Sequence, residues 1–192
     1  MMTDTLRGLV LAGGYSRRMG RDKALIDYHG QPQGLRAFEL LQEHCMSVSL
    51  SCRPGQFEGS PLEGLPEIHD LKADQGPMEG LRSAMLQFPE DTWFQLACDL
   101  PRVDQDLLQL LRDQQDPEAV VTCYRDPESG LPEPMCGMYR PAFLSHLEDC
   151  LAQGQRCARK SLMTLGEGLQ LLDLPHPDAM CNVNRPEDWK PE

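Results

Sequence analysis

Residues Leu11 to Ala24 read LAGGYSRRMGRDKA, and they gather the chemistry most visible in this chain. Gly13 and Gly14 are adjacent, Arg17 and Arg18 are adjacent, and Gly20 precedes Lys23. Glycines after a strand let the backbone approach a ligand closely and turn its amides toward it. Such amides, together with Arg17, Arg18 and Lys23, suit a polyphosphate held by hydrogen bonds and by charge. The spacing is not that of a P-loop, because five residues separate Gly14 from Gly20 and no Ser or Thr follows Lys23. It is not G-x-G-x-x-G either. An isolated Gly-Gly would mark only a turn; a strand before it and a lysine after it point to phosphate binding.

Carboxylates and amides fall at other strand ends. TWFQLACD runs straight into Asp99, and a carboxylate at the end of a buried strand is costly unless it is hydrogen-bonded or paired with a cation. Its bland reading is a turn aspartate before Pro101. Asp70 closes PEIHD, and Asp74 stands nearer to Gly76, Pro77 and Gly80, which read as a loop and a helix start. Asn182 and Asn184 are two apart and share one face of an extended segment, or are turn residues before Pro186. Arg156, Arg159 and Lys160 form a second basic cluster, read equally as a phosphate site or as helix-end charges.

Alternating elements must position these groups. LRGLVLAGG reads as a short buried strand, and LRAFELLQEHC as a helix with Leu35, Phe38, Leu41 and Cys45 on one stripe. MSVSLSC and PEIHD read as strands, LRSAMLQF as a helix, and TWFQLACD as the most apolar strand. VDQDLLQLLRDQ is helical with acids at its N-terminal end, EAVVTCYR is a strand, and PAFLSHLEDCLAQG is a helix. RDPESGLPEPMCG, rich in proline, glycine and charge, reads as a long loop or an excursion from the sheet. Strand and helix in alternation predict an α/β fold whose mostly parallel sheet is covered on both faces. Ligands of such sheets sit beyond the carboxyl ends of the strands, which selects Gly13 to Lys23, Asp70 and Asp99.

Composition bounds the function classes. A chain of 192 residues with no dividing linker predicts one domain, residues 1–192. Its formal charge of −12 argues against a general nucleic-acid surface but leaves room for a small anion held by a local basic cluster. No apolar run is long enough to span a bilayer, and the N-terminus lacks a signal pattern, so a cytoplasmic protein is expected. The eight cysteines contain no C-x-x-C pair, and the five histidines show no metal spacing. Most of the cysteines are expected to be reduced core residues.

Beyond these readings, LAGGYSRRMGRDKA closely resembles the signature of the molybdenum cofactor guanylyltransferases, within the MobA-like nucleotidyltransferase family. QGPMEGL at 75–81, LACDLP at 96–101 and NVNRPEDW at 182–189 resemble further motifs of that family, in its order. The resemblance implies a Rossmann-like three-layer fold, nucleotide-diphospho-sugar-transferase-like. It implies transfer of GMP from GTP to molybdopterin-bound cofactor, with Mg²⁺ as metal and cofactor-delivering or molybdoenzyme-assembly proteins as partners; no nucleic acid and no membrane are implied. Leu11, Ala12, Gly13 and Gly14 match the tetrapeptide that accompanies guanine. Lys23 and Arg18 fall on the triphosphate, whereas Arg17 stands at a variable position. Asp99 takes the metal, and Asp70, Gly76, Pro77 and Gly80 the nucleotide, with Asp74 as rival to Asp70. Asn182 and Asn184 join the site, Asn184 beside the cation, and Arg156 belongs to a region linked to the pterin. Cys52 stands where relatives have Asn, which puts that nucleotide contact in question, and Arg185 replaces a usual Thr. The alternatives are a nucleotidyltransferase for CTP or another phosphorylated acceptor, and a non-catalytic nucleotide-binding protein.

Overall fold

Strand β1 (Leu6–Leu11) buries Leu9 and Val10 completely and lies inside the sheet, between two parallel neighbours. The computed structural model describes residues 5–13, 22–72 and 76–183. The other strands are β2 (Ser47–Cys52), β3 (Glu67–His69), β4 (Thr92–Ala97), β5 (Val121–Arg125), β6 (Pro132–Tyr139) and β7 (Leu169–Leu172). All six residues of β4 are buried, as expected of a strand covered on both faces. The helices are α1 (Gln33–Gln42), α2 (Pro77–Gln87), α3 (Gln105–Asp113), α4 (Phe143–Ala152) and α5 (Ala158–Met163).

The strands form one seven-stranded sheet in the order β3-β2-β1-β4-β6-β5-β7. Among the described strands only β6 runs against its neighbours, antiparallel to both β4 and β5. The chain leaves β1 toward β2 and β3, then returns to place β4 on the other side of β1. That reversal opens a crevice beyond the carboxyl ends of β1 and β4, the place where such sheets bind ligands.

Alternation of side chains assigns the two faces. A side chain at Gly8 would meet Val48 and Leu41 of α1, whereas Leu11 and Ser51 meet Gly80 of α2. Helices α1 and α3 therefore cover one face, and α2, against which α4 packs, covers the other. Asp104 caps α3 by accepting from Leu107 N–H at 3.0 Å, and Asp106 in its first turn and Arg112 in its last oppose the helix dipole.

Three features differ from the sequence-based expectation. The proline-rich stretch is not a long loop: Asp126 caps a tight turn through Ser129 N–H at 2.7 Å, and Pro132–Tyr139 is the longest strand. The prolines are absorbed by an irregularity, where the pairing jumps from Cys123↔Gly137 to Tyr124↔Glu133. Pro134 then turns its carbonyl to two buried donors, Gln95 Nε2 at 2.8 Å and the Tyr139 hydroxyl at 2.7 Å. Second, α5 and the short β7 carry too little periodicity to be foreseen. Third, the buried stripe of α1 is rotated: Gly34, Ala37, Phe38 and Leu41 face inward, while Leu35 is half-buried and Cys45 lies past the helix end.

Gly80 sets how closely α2 approaches the sheet. A Cβ there would stand 2.3 Å from Ser51 Oγ and 3.4 Å from Leu11 Cδ2. Gly80→Ala should therefore cost stability in urea unfolding, and the cost should shrink by about 0.5–3 kcal/mol when Ser51→Ala is made first. Equal costs in both backgrounds would show that this contact does not set the spacing.

Candidate functional site

Beyond Leu11 the chain stays tied to the sheet for one more residue. Ala12 N–H donates to Ser51 O at 3.0 Å, and Leu11 O accepts from Cys98 N–H at 3.3 Å. Of the predicted tetrapeptide, Leu11 and Ala12 thus build the rim, and Gly13 is the first exposed residue. A side chain at Gly13 would press on the Ser51 carbonyl, 3.3 Å away. Gly14, Arg17, Arg18, Asp74, Asn184 and Arg185 lie outside the described residues.

The chain re-enters at Asp22, which caps a single 3₁₀ turn over Lys23–Leu25 by accepting from Ala24 N–H at 3.1 Å. That turn aims Lys23 at the end of β4. Lys23 Nζ lies 3.1 Å from Asp99 Oδ2, and both side chains are about four-fifths buried, with exposures of 22% and 20%. The two predicted residues meet although 76 positions separate them. The second carboxylate oxygen, Asp99 Oδ1, is buried and has no hydrogen-bond partner among the described residues. A buried anionic oxygen left this way is costly, and a hard cation with a preference for oxygen ligands resolves the cost. Asp99 therefore fits a Mg²⁺ ligand on the chemistry of its own surroundings.

The segment after Asp99 is held from two sides. His29 Nε2 is hydrogen-bonded to Pro101 O at 2.8 Å, and Arg36 donates to Val103 O at 2.8 Å. From the other side, Val183 N–H donates to the backbone oxygen of Asp99 at 2.9 Å, and Arg102 pairs with Asp178 at 3.6 Å. The Val183 bond holds buried Val183, with exposed Asn182 beside it, to the backbone of Asp99.

Asp70 follows β3 on the face that carries α2. Burial and the neighbouring Glu79 push its carboxyl above the ordinary value, while the Ser51 hydroxyl works the other way. Gly76, with a φ of +81°, forms the N-cap of α2, and Pro77 occupies the first helical turn. A side chain at Gly76 is excluded by backbone conformation rather than by space.

The second basic cluster is divided. Arg156 and Lys160 are exposed, but Arg159 is engaged by Glu133 at 3.0 Å and faces Asp126 at 3.9 Å. Burial pushes Glu133 upward; Met135 N–H and Arg159 oppose that, and the Asp99 carboxylate adds to it. Glu133 thus belongs to the electrostatic surroundings of Asp99, a neighbour concealed in the stretch read as a loop.

Sequence reasoning also missed Gln56. Its amide nitrogen donates to Ala12 O at 2.9 Å and to Asp22 Oδ2, and its amide oxygen accepts from Arg53 N–H at 3.0 Å. One side chain so joins the exit of β1, the turn that carries Lys23, and the exit of β2. An exposed-looking Gln between Gly55 and Phe57 gives no signal of this.

A lysine–carboxylate pair at the switch point of a mostly parallel, two-face-covered sheet, with Gly13 at the exit of β1, marks a Rossmann-like α/β protein of the kind that binds ligands beyond its strand ends. Comparison with known proteins narrows the class. The MobA-like NTP transferase domain matches residues 8–168. A molybdenum cofactor biosynthesis bifunctional protein of Synechocystis is 40% identical over 96% of this chain, and the chain spans about half of that relative, 52% of its length. A molybdenum cofactor guanylyltransferase of Pseudomonas entomophila is 32% identical over 93% of each chain. Among solved structures, molybdopterin-guanine dinucleotide biosynthesis protein A of Archaeoglobus fulgidus shares the fold with a TM-score of 0.76, at 21% identity over 95% of this chain and 94% of the other. The chain belongs to the MobA-like NTP transferase family.

Gln56→Leu removes the amide that joins the three segments and leaves the Ala12 carbonyl short of a partner. It should cost about 1–3 kcal/mol in urea unfolding. A variant as stable as the parent would mean that the amide does not hold these loops.

Proposed function

We propose that this protein transfers GMP from GTP to molybdopterin-bound molybdenum cofactor, giving the guanine dinucleotide form and pyrophosphate. A terminal phosphate oxygen of the cofactor attacks the α-phosphorus of GTP. The bond between the α-phosphorus and the oxygen bridging to the β-phosphate breaks, and that oxygen leaves with pyrophosphate. Two anions must be brought together, so the protein's task is positioning and charge compensation rather than covalent participation.

The observation that carries the proposal is the meeting of Lys23, on its 3₁₀ turn, with Asp99 beyond the carboxyl end of β4. Lys23 supplies a compact positive charge for the triphosphate, and Arg18 is assigned beside it to the phosphate oxygens. Gly13 and Gly14 admit the nucleotide close to the backbone; Gly76 and Pro77 shape the opposite wall, which Gly80 sets by letting α2 sit close to the sheet, and Asp70 meets the nucleoside. Asp99 would hold Mg²⁺ with Asn184, and the cation would supply Lewis-acid stabilisation of the α-phosphate. Asn182 is assigned to the cofactor substrate. Arg156, exposed and without an ion pair among the described residues, is assigned to its phosphate. Cofactor-delivering or molybdoenzyme-assembly proteins are the partners this reaction calls for, and the cytoplasm is its proposed place.

Purified protein, Mg-GTP and molybdopterin cofactor should yield the guanine dinucleotide and pyrophosphate, identified by product analysis. Asp99→Ala should abolish turnover with the fold intact by circular dichroism, and Lys23→Ala should weaken GTP binding. Preference for CTP would reassign the nucleotide. Wild-type-like turnover of Asp99→Ala would remove the carboxylate from the reaction.

A further inference from the structure

The edge of the sheet carries a second group of ligand-type side chains, outside the Lys23–Asp99 site. Cys52 ends β2, and its backbone partner across the parallel ladder is His69 at the end of β3. Partners in a parallel pair present side chains to the same face, and so do residues two apart on one strand. Glu67, two residues before His69, therefore joins Cys52 and His69 on one face. That face is the one covered by α1, opposite to the face where Ser51 and Asp70 meet α2.

Side-chain positions agree with the register. One donor atom from each of Cys52, Glu67 and His69 lies within 4.8 Å of the other two. His69 Nε2 and Glu67 Oε2 are 2.7 Å apart. The set is graded in exposure: Cys52 is buried, Glu67 is partly covered, and His69 is open to solvent at 42%. A ligand can thus reach the group from outside and meet a sulfur at its base.

We propose that Cys52, Glu67 and His69 form a binding site for a zinc-class divalent cation, with solvent completing the coordination. Sulfur, imidazole and carboxylate are the donors that zinc takes, three from protein with one position left to water. Ligand atoms around one such ion stand about 3.2–3.8 Å apart, so donors that already lie within 4.8 Å of one another need only a modest side-chain turn. The exposed His69 ring supplies that movement. A hard cation such as Mg²⁺ finds one oxygen ligand here and is disfavoured by the thiol.

The protons balance as follows. Burial, reinforced by Glu67, pushes the Cys52 thiol up to about 12, so the sulfur is protonated at neutral pH. Its proton leaves to solvent when the metal–sulfur bond forms. The imidazole binds as the neutral ring, and the metal takes the place of the His69–Glu67 hydrogen bond as the link between those two side chains. No oxidant or reductant is involved. The site shares no residue with the Lys23–Asp99 pair, but it abuts the proposed nucleotide loop: a Cβ on Gly13 would lie 3.6 Å from Cys52 Cα.

The test is a titration of the full chain, reduced and without nucleotide, with Co²⁺ as a spectroscopic stand-in for zinc. The exposed Cys157 and Cys181 are first changed to serine, so that their thiols do not contribute. In excess Mg²⁺, which fills the proposed Asp99 site, one equivalent should bind and produce a near-ultraviolet thiolate-to-cobalt band, which Zn²⁺ abolishes. Cys52→Ser should remove the band. His69→Ala and Glu67→Gln should each weaken Co²⁺ binding about tenfold or more, since even groups that only support a ligand are worth that much. Absence of the band, its survival in Cys52→Ser, or unchanged affinity in His69→Ala would each overturn the site. His69→Ala alters an exposed side chain and decides the matter even where Cys52→Ser disturbs the fold. Nucleotide is absent throughout, so the outcome is independent of whether GTP is the substrate.

Discussion

The Asp99 carboxylate is the constraint around which the molecule is organised. One oxygen is neutralised by Lys23, and the other is buried without a partner among the described residues. Such a group is stable only if the elements that hold it are rigid enough to prevent its turning to water. Strand β4 provides that rigidity from below, as the fully buried centre of the sheet. The bonds from His29, Arg36 and Val183 hold the following segment from three parts of the chain.

The same logic explains why the supporting residues are scattered. Lys23 cannot meet Asp99 unless β1 and β4 are neighbours, and they are neighbours only because the chain reverses its direction of sheet growth after β3. Gln56 then fastens the exits of β1 and β2 to the Lys23 turn. Gly80 lets α2 settle against Ser51, which brings its N-terminus and Gly76 to the rim of the crevice. Each device acts on position. That suits phosphoryl transfer, where the reactants carry the covalent chemistry.

Expectation and structure part company where long-range pairing outweighs local signals. Proline, glycine and charge in RDPESGLPEPMCG speak for a loop or an excursion from the sheet, yet its second half forms most of β6. Its neighbours β4 and β5 offer unsatisfied ladders on both sides, and an irregular register accommodates the prolines. The second basic cluster was divided in the same way: Arg159 is taken by Glu133, which that unforeseen strand delivers. The histidines showed no metal spacing along the chain because His69 and Cys52 come together only across two strands.

Much of the site could nevertheless be read from the chain alone. Glycines in series, a lysine after them and an aspartate at the end of an apolar run are local patterns, and local patterns survive in one dimension. Strand and helix periodicities likewise announced the parallel sheet, because burial on one or both faces leaves its period in the residues. What the linear order could not contain was adjacency: which strand lies beside which, which carboxylate oxygen is left over, and which glutamine reaches three segments. Those depend on contacts between residues far apart in sequence, and only packing of the sheet and its helices into one core decides them.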